Sequence, residues 1–181
     1  MIAESVHAAV YMQDQKIIED SKMNLSVNES IELKPIDHEN AALLFPLLKA
    51  DLKEIRQWFS INEDYDLENE LSYVDEKEPP FDETFVIYYR GTPCGRVGLY
   101  DYDRNKNELY MYYWVASPFR RKHVALDSVL TVMDYLSSLG LKSILFDVKK
   151  ANEASIAMIR QLPNTVLLKE EEDSLIYLNS I

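Results

Sequence analysis

Three consecutive basic residues form the feature of this chain that is best suited to chemistry. Arg120, Arg121 and Lys122 lie between a predicted strand that ends at Val115 and a predicted helix that begins near His123. The first N–H groups of a helix have no partner within the helix, and the helix dipole favours an anion at that end. The spacing therefore predicts a site for the phosphate groups of a cofactor. A solvated basic turn in front of a helix is the alternative interpretation, because short motifs often match by chance.

Strands on both sides of this turn are predicted from hydrophobic periodicity. They cover residues 31–36, 84–90, 94–101, 108–115, 144–148, 165–168 and 174–178. Short turns join the second, third and fourth of these strands, which predicts an antiparallel meander. The apolar run 144–148 follows a predicted crossover helix, so we expect it to lie parallel to the strand before that helix.

Helices are predicted where apolar residues recur at helical spacing. The stretches are 40–59, 67–74, 123–139 and 152–162. Asp37 is a plausible N-cap for the first stretch, and Gly140 stands where a C-terminal glycine belongs. Because Pro46 interrupts the first stretch, we expect two short helices there rather than one.

Several motifs near the basic turn occur together in one known family. Asn152 and Ser155 form an Asn-x-x-Ser pattern after the strand 144–148, and Tyr113-Trp114-Val115 precedes Ser117-Pro118. Residues 120–125 read Arg-Arg-Lys-His-Val-Ala, which is similar at its first and last positions to the pyrophosphate-turn pattern Gln/Arg-x-x-Gly-x-Gly/Ala. Together these motifs resemble the GNAT superfamily of acyl-CoA-dependent N-acyltransferases, and within it the branch that acetylates the N-terminal amines of ribosomal proteins. The similarity extends upstream to about Ser26.

This resemblance implies an α+β fold of the GNAT type. Its expected features are a mixed central sheet of about six to seven strands, helices on both faces, an antiparallel N-terminal meander, and splayed strands at 108–115 and 144–148. The implied function is transfer of an acetyl group from acetyl-CoA to a primary amine, either a protein N-terminal α-amine or a small amine, by direct attack on the thioester. One alternative is a non-catalytic acyl-CoA-binding regulatory module. Another is an acyltransferase that prefers a longer acyl chain.

The resemblance also implies roles for individual residues. The backbone N–H near Val115 is the expected donor to the thioester carbonyl, and Ser155 is the candidate general acid. As an alternative, Ser155 only bonds the backbone at its helix N-terminus. The cofactor-binding residues implied are Val115, Arg120, Arg121, Lys122, His123, Val124, Ala125, Asn152 and Ser155.

The general base is assigned to Glu108, which lies on one face of its strand with Tyr110 and Tyr112. An exposed charge at the start of a strand is the alternative for Glu108, and a chain of water molecules is the alternative base. Tyrosines of the sheet are expected to be half-buried core residues, some of which line the acceptor cleft.

Two positions of the basic turn lack the family's glycines, because Arg121 and His123 occupy them. If the turn requires positive φ, His123 is strained and weakens CoA binding. If the turn is instead the first turn of a helix, its φ values are negative and His123 fits without strain. We favour a turn rebuilt with side-chain donors, in which the imidazole of His123 contacts a phosphate.

Composition limits the partners and the compartment. The net charge of −12 argues against nucleic acid, and no Cys/His spacing predicts a metal site. Residues 63–83 hold ten carboxylates and one lysine, which indicates a wall that attracts an ammonium group or simply a solvated acidic face. With one cysteine and no apolar segment long enough to span a membrane, we expect a cytoplasmic protein; a homodimer is compatible with this. Residues 1–22 are expected to be an extension of unknown role, and 23–181 the GNAT domain.

Overall fold

The computed structural model describes residues 24–77 and 81–181. The strands are β1 (Leu25–Asn28), β2 (Ile31–Pro35), β3 (Thr84–Tyr89), β4 (Thr92–Asp103), β5 (Glu108–Val115), β6 (Ser143–Lys149), β7 (Thr165–Glu170) and β8 (Ser174–Ser180). The helices are α1 (His38–Ile55), α2 (Leu67–Asp75), α3 (Val124–Ser138) and α4 (Glu153–Ile159), with a short 3₁₀ helix at Ser117–Phe119. The predicted extension at residues 1–22 lies outside the described residues.

All of these strands belong to one eight-stranded sheet of order β1-β2-β3-β4-β5-β6-β8-β7. Neighbouring strands are antiparallel except β5 and β6, which are parallel as predicted. The sheet therefore confirms the predicted mixed α+β architecture, and β1 adds one strand to the seven predicted from periodicity. Within the described residues, no helix is both long and apolar enough to cross a membrane.

Helix α1 is continuous, which contradicts the prediction of two helices separated at Pro46. A proline inside a helix removes a hydrogen bond and costs about 3 kcal/mol. Burial of each large apolar side chain contributes about 1.5–3 kcal/mol in the opposite direction. Helix α1 buries Leu44, Leu48, Leu52 and Ile55 against the sheet, so packing outweighs the cost of the proline.

Helices cover both faces of the sheet, as the resemblance implied. Phe85 and Ile87 of β3 pack in the cluster that contains α3, whereas Val86 and Tyr88 of the same strand pack in the cluster that contains α1. This alternation follows from the two-residue period of a strand. The face under α1 also carries Trp114, which becomes part of the site described below.

Strands β5 and β6 separate partway along their length. Their pairing runs from Glu108 opposite Ser143 to Tyr110 opposite Leu145 and then stops. The N–H of Ala116 donates to Cys94 on β4 at 2.8 Å. Because backbone groups of successive residues point to opposite edges of a strand, the N–H of Val115 points into the gap between β5 and β6. The predicted splay is confirmed, and it leaves strand backbone groups available to a ligand.

Candidate active site

Two cavities meet at the carboxyl end of β5. The first, a cleft of about 660 Å³, runs from Val115 along the basic turn to Asn152 and Ser155. The second, of about 550 Å³, lies between α2 and the sheet. Phe59 and Trp114 line both cavities. Ligands bound in the two cavities would therefore come together beside these two side chains.

The first residue of the basic turn, Arg120, is held by the protein itself. Its Nε donates to the carbonyl of Val115 at 2.9 Å, and its two terminal nitrogens contact Glu54 at 2.7 Å and Asp51 at 3.2 Å. Asp51 is buried and also accepts hydrogen bonds from the backbone N–H and the hydroxyl of Ser117. The guanidinium of Arg120 therefore fixes the turn, which differs from the phosphate-binding role expected of its side chain.

The side chains of the other two basic residues, Arg121 and Lys122, point in different directions. Lys122 donates to the carbonyl of Pro118 at 3.3 Å and lies over the rings of Tyr89 and Phe119, and it does not line the cleft. Arg121 lines the cleft, is exposed, and makes no hydrogen bond or ion pair with another described residue. Of the three cations expected around the phosphates, Arg120 and Arg121 line the cleft, and of these two Arg121 has no partner among the described residues.

Both residues that replace the family's glycines adopt left-handed backbone conformations. The φ angles are 58° for Arg121 and 59° for His123. Of the two alternatives left open by the sequence, negative φ through a first helical turn is therefore excluded, and a turn with glycine-like geometry is present. His123 is the N-cap of α3 and provides no side-chain cap, so the N–H groups of Val124 and Ala125 remain available where these residues line the cleft.

Ser155 lies across the cleft, one turn into α4. The helix is capped by Asn152, whose Oδ1 accepts the N–H of Ser155 at 3.1 Å, so the hydroxyl of Ser155 is not needed as a cap. The hydroxyl of Tyr113 lies beside this residue and donates to its carbonyl at 3.4 Å. Burial raises the pKa of Tyr113 to about 12, and a hydrogen bond with the side chain of Ser155 opposes part of this rise. A protonated phenol therefore stands next to the Ser155 hydroxyl at neutral pH.

The structure places Glu108, the general base predicted from the sequence, away from the cavities. Glu108 begins β5, where it contacts Ser143 and Lys106, and it lines none of the cavities around the splay. Val115 is seven residues further along the strand, a separation of about 23 Å at about 3.3 Å per residue. A different carboxylate, Asp147 on β6, lines a small hollow between the splayed strands together with Tyr113 and Ser155.

A buried polar network underlies the second cavity. Arg96 donates to Glu70 Oε1 at 2.9 Å, and the hydroxyl of Tyr65 donates to Glu70 Oε2 at 2.7 Å. The guanidinium of Arg96 lies 4.9 Å from the ring centre of Tyr73 and 5.9 Å from that of Tyr112. Glu70 is fully buried and Arg96 nearly so, which means that the two charges neutralise each other away from solvent.

The sequence comparison agrees with this geometry. Residues 30–162, which span the sheet from β2 through α4, match the acetyltransferase (GNAT) domain family. The chain belongs to the GNAT acetyltransferase family. It is therefore an N-acetyltransferase with acetyl-CoA as cosubstrate, which confirms the enzyme class that the resemblance implied. No curated protein sequence matches the chain significantly.

Solved structures of GNAT enzymes share the fold. The apo ribosomal L7/L12 α-N-protein acetyltransferase RimL is 16% identical, covers 88% of this chain and 94% of its own, and has a TM-score of 0.81. The Salmonella typhimurium acetyltransferase that modifies the N-terminal serine of L7/L12 is 16% identical, with 88% and 99% covered and a TM-score of 0.76. The microcin C7 self-immunity acetyltransferase MccE, in complex with acetyl-CoA and AMP, is 17% identical, with 86% and 94% covered and a TM-score of 0.72. At these identities the likeness shows the fold alone.

Four contributors to the site escaped the sequence analysis: Asp51, Glu70, Tyr113 and Asp147. Asp51 and Glu70 lie on helices that are distant in the sequence from their partners, which are Ser117 near the turn and Arg96 in the sheet. No spacing in the sequence connects them to those partners. Tyr113 belonged to a run of strand tyrosines, and the pattern gave no reason to select it. Tyr113 lies two residues before Val115, so the alternation of side chains along β5 puts both on the face of the sheet that α4 covers. This alternation was the signal in the sequence that could have selected Tyr113.

Proposed function

We propose that this GNAT enzyme transfers the acetyl group of acetyl-CoA to a primary amine, a peptide α-amine or a small amine, at the wall shared by the two cavities. The observation that carries the proposal is the junction itself. There the cleft beside the uncapped α3 N-terminus meets a second cavity at the splayed end of β5. A cytoplasmic location belongs to the same proposal, since Cys94 is a free, buried thiol.

The cleft fits the phosphate-bearing end of the cosubstrate. Backbone N–H groups of Val124 and Ala125 lack helical partners, and Arg121 adds a cation that no other described residue neutralises. The Asn152 side chain orders the start of α4 on the opposite wall. The MccE structure, which holds acetyl-CoA, supports this choice of donor.

Acetyl-CoA supplies an activated thioester when bound. In the proposed reaction the amine nitrogen bonds to the acetyl carbon, the carbon–sulfur bond breaks, and the sulfur leaves as a thiol after taking up a proton. The N–H of Val115 points into the gap and would donate to the acetyl oxygen as negative charge develops there. The hydroxyl of Ser155, with the phenol of Tyr113 beside it, would hold the proton that the sulfur requires.

The proton lost by the attacking amine needs an acceptor, and Glu108 is too far away. Asp147 lines the hollow between β5 and β6, where it can receive that proton directly or through water. The hollow itself has a volume of about 50 Å³.

Intact-mass and thiol-release measurements with acetyl-CoA and a panel of primary amines test the proposal. We expect a mass gain of one acetyl group on the acceptor and one thiol released per transfer, with faster turnover for acetyl-CoA than for butyryl-CoA. A melting-temperature increase with acetyl-CoA, combined with no transfer to any amine, would favour the non-catalytic binding module.

A further inference from the structure

The second cavity has an unusually aromatic lining for a site that receives an amine. Six aromatic side chains contribute to it, together with the aliphatic side chains of Leu48 and Ile55. The aromatic residues are Phe59, Tyr65, Tyr73, Tyr100, Tyr112 and Trp114. Phe59 meets Tyr112 edge to face with ring centres 5.7 Å apart, and Tyr100 lies 6.1 Å from Tyr112. Such rings offer flat apolar surface to a ligand at little cost in side-chain entropy.

Tyr112 lies directly over β4, and this position depends on Gly98. A Cβ atom at Gly98 would come within 2.1 Å of the Tyr112 ring. The glycine thus lets the ring lie close to the sheet, where its hydroxyl meets Tyr73 and Thr84. The cavity owes part of its depth to this arrangement.

The floor of the cavity carries no net charge. Arg96 is the cation there, and its guanidinium lies 2.9 Å from the carboxylate of Glu70, which is completely buried. The rings of Tyr73 and Tyr112 cover the guanidinium. An apolar group that enters the cavity therefore meets aromatic faces rather than an uncompensated charge.

The mouth of the cavity is acidic. Lys77 lines it, but this ammonium group pairs with Asp82 at 2.6 Å and lies over the ring of Tyr73. Glu76 also lines the mouth, and it is exposed. Apart from Glu70, which Arg96 neutralises, residues 63–77 contain six carboxylates and one lysine. The negative potential of these carboxylates attracts a cationic amine. The aromatic interior of the cavity selects for the group attached to the amine-bearing carbon.

We infer that the acceptor is a primary amine with a bulky apolar group, preferably an aromatic ring, next to the amine-bearing carbon. The inference rests on the proposed function and specifies its acceptor. Trp114 and Phe59 border both cavities. An amine held near Val115 therefore directs its neighbouring group past these two side chains toward Tyr112, which lies three residues before Val115, about 10 Å along β5 at about 3.3 Å per residue. A cavity of about 550 Å³ greatly exceeds a serine or alanine side chain, which would leave its aromatic walls without contacts.

Steady-state thiol release on the full chain tests this inference. Peptides that differ only in the first residue, Phe, Trp, Leu, Ala or Ser, are compared at saturating acetyl-CoA, with phenethylamine and ethylamine as a second pair. We expect kcat/KM to be at least about tenfold higher for Phe and Trp than for Ala and Ser, because burial of a large apolar side chain contributes on that scale. Preference within the peptides identifies a peptide acceptor, and preference within the small amines identifies an arylalkylamine. Equal or better turnover of Ala and Ser peptides, together with ethylamine equal to phenethylamine, would overturn the inference.

A cavity-filling variant supplies the control. Ser72 lines the cavity and is exposed on α2, so Ser72→Trp fills space without disturbing the core. Ser137→Trp makes the same change at an exposed position of α3 that lines none of the three cavities described here. We expect Ser72→Trp to remove the advantage of Phe over Ala, and Ser137→Trp to retain it. An unchanged ratio in Ser72→Trp would show that the bulky group binds elsewhere.

Direct binding separates this inference from the proposed function. Calorimetry with phenylalaninamide and alaninamide, in the presence of CoA, measures acceptor affinity without turnover. If no amine is acetylated but phenylalaninamide binds at least about tenfold more tightly, the cavity assignment stands and the catalytic proposal fails. Equal affinities of the two amides would overturn the cavity assignment whatever the turnover.

Discussion

Asp51 of α1 and Arg120 of the basic turn form an ion pair with 3.2 Å between Oδ2 and Nη2. The same carboxylate accepts the backbone N–H of Ser117 at 2.8 Å and its hydroxyl at 2.6 Å. Asp51 is 9% exposed, so these bonds lie largely out of water. They connect α1 to the segment that shapes the cofactor cleft, and they hold the turn where the family uses glycines.

Replacing Asp51 should therefore affect both stability and cofactor affinity. In Asp51→Asn one carboxylate oxygen becomes an NH2 group, which donates hydrogen bonds and accepts none. At least one of the bonds that Asp51 accepts from Ser117 and Arg120 is then lost. We expect the free energy of unfolding to fall by about 1–3 kcal/mol, as for other buried groups that lose a partner, and acetyl-CoA to bind more weakly. Urea unfolding and calorimetry measure the two effects. The control is Glu54→Gln, because Glu54 is the exposed partner of Arg120 and should change stability by less than about 1 kcal/mol. Equal effects from both variants would argue against a special role for Asp51.

Arg121 is the cation that the cleft leaves free for a phosphate. Arg121→Glu should weaken acetyl-CoA binding at least about tenfold, or about 1.4 kcal/mol, while the melting temperature of the unliganded protein stays the same. Lys122→Glu changes charge equally at the neighbouring position, but Lys122 is directed toward Tyr89 and Phe119. We therefore expect a smaller loss of affinity, which high salt should abolish. A larger loss in Lys122→Glu than in Arg121→Glu would show that the turn rearranges on binding.

His123 combines an unfavourable backbone with a side chain at the cleft, and two substitutions separate these features. His123→Gly relieves the left-handed strain at φ 59°, whereas His123→Ala keeps the strain and removes the imidazole. We expect the Gly variant to be more stable than the Ala variant by about 1 kcal/mol. We also expect the Gly variant to bind acetyl-CoA at least as tightly as the parent protein does. Weaker binding by both variants than by the parent protein would instead show an imidazole contact with phosphate.

The prediction from sequence succeeded where local pattern and packing agree. The β5–β6 splay, the crossover helix and the parallel pair followed from periodicity and family likeness, and the structure contains each of them. It failed at Pro46, because the intrinsic cost of a proline is local whereas the burial that offsets it comes from the sheet. Glu108 was selected by alternation, which identifies a face of a strand but does not choose among the residues on that face; the structure places Glu108 at the opposite end of β5 from Val115. The conformation of His123 was undecided because one sequence is compatible with either sign of φ.

Buried tyrosines give the protein a specific dependence on alkaline pH. Burial raises the pKa of Tyr100 and of Tyr113 to about 12, and it also raises the pKa values of Tyr65 and Tyr112. Above pH 10 the unfolded chain has lost these phenolic protons while the folded chain keeps them, so the stability is fully present below pH 10 and falls as pH rises further. The deeply buried Tyr112 and Tyr113 each lower the free energy of unfolding by up to about 1.4 kcal/mol per pH unit in this range, and the more exposed Tyr65 and Tyr100 lower it by less. Urea unfolding from pH 8 to 11.5, with tyrosinate absorbance as the second probe, measures this. Titration of all tyrosines near pH 10 in the folded protein would contradict it.

The Ser155–Tyr113 pair permits a test of how the leaving sulfur obtains its proton. Tyr113 is protonated at neutral pH, as an ordinary tyrosine is, and burial raises its pKa further to about 12, so it has a proton to donate through Ser155 or directly. Ser155→Ala and Tyr113→Phe should each lower kcat by about tenfold or more, with little change in the affinity for acetyl-CoA, because the proton is needed only as the carbon–sulfur bond breaks. If the hydroxyls act as one unit, the double variant should lose little more activity than either single variant. Multiplicative losses would assign the hydroxyls separate roles, and unchanged kcat in Ser155→Ala would reduce Ser155 to a structural residue of the cleft.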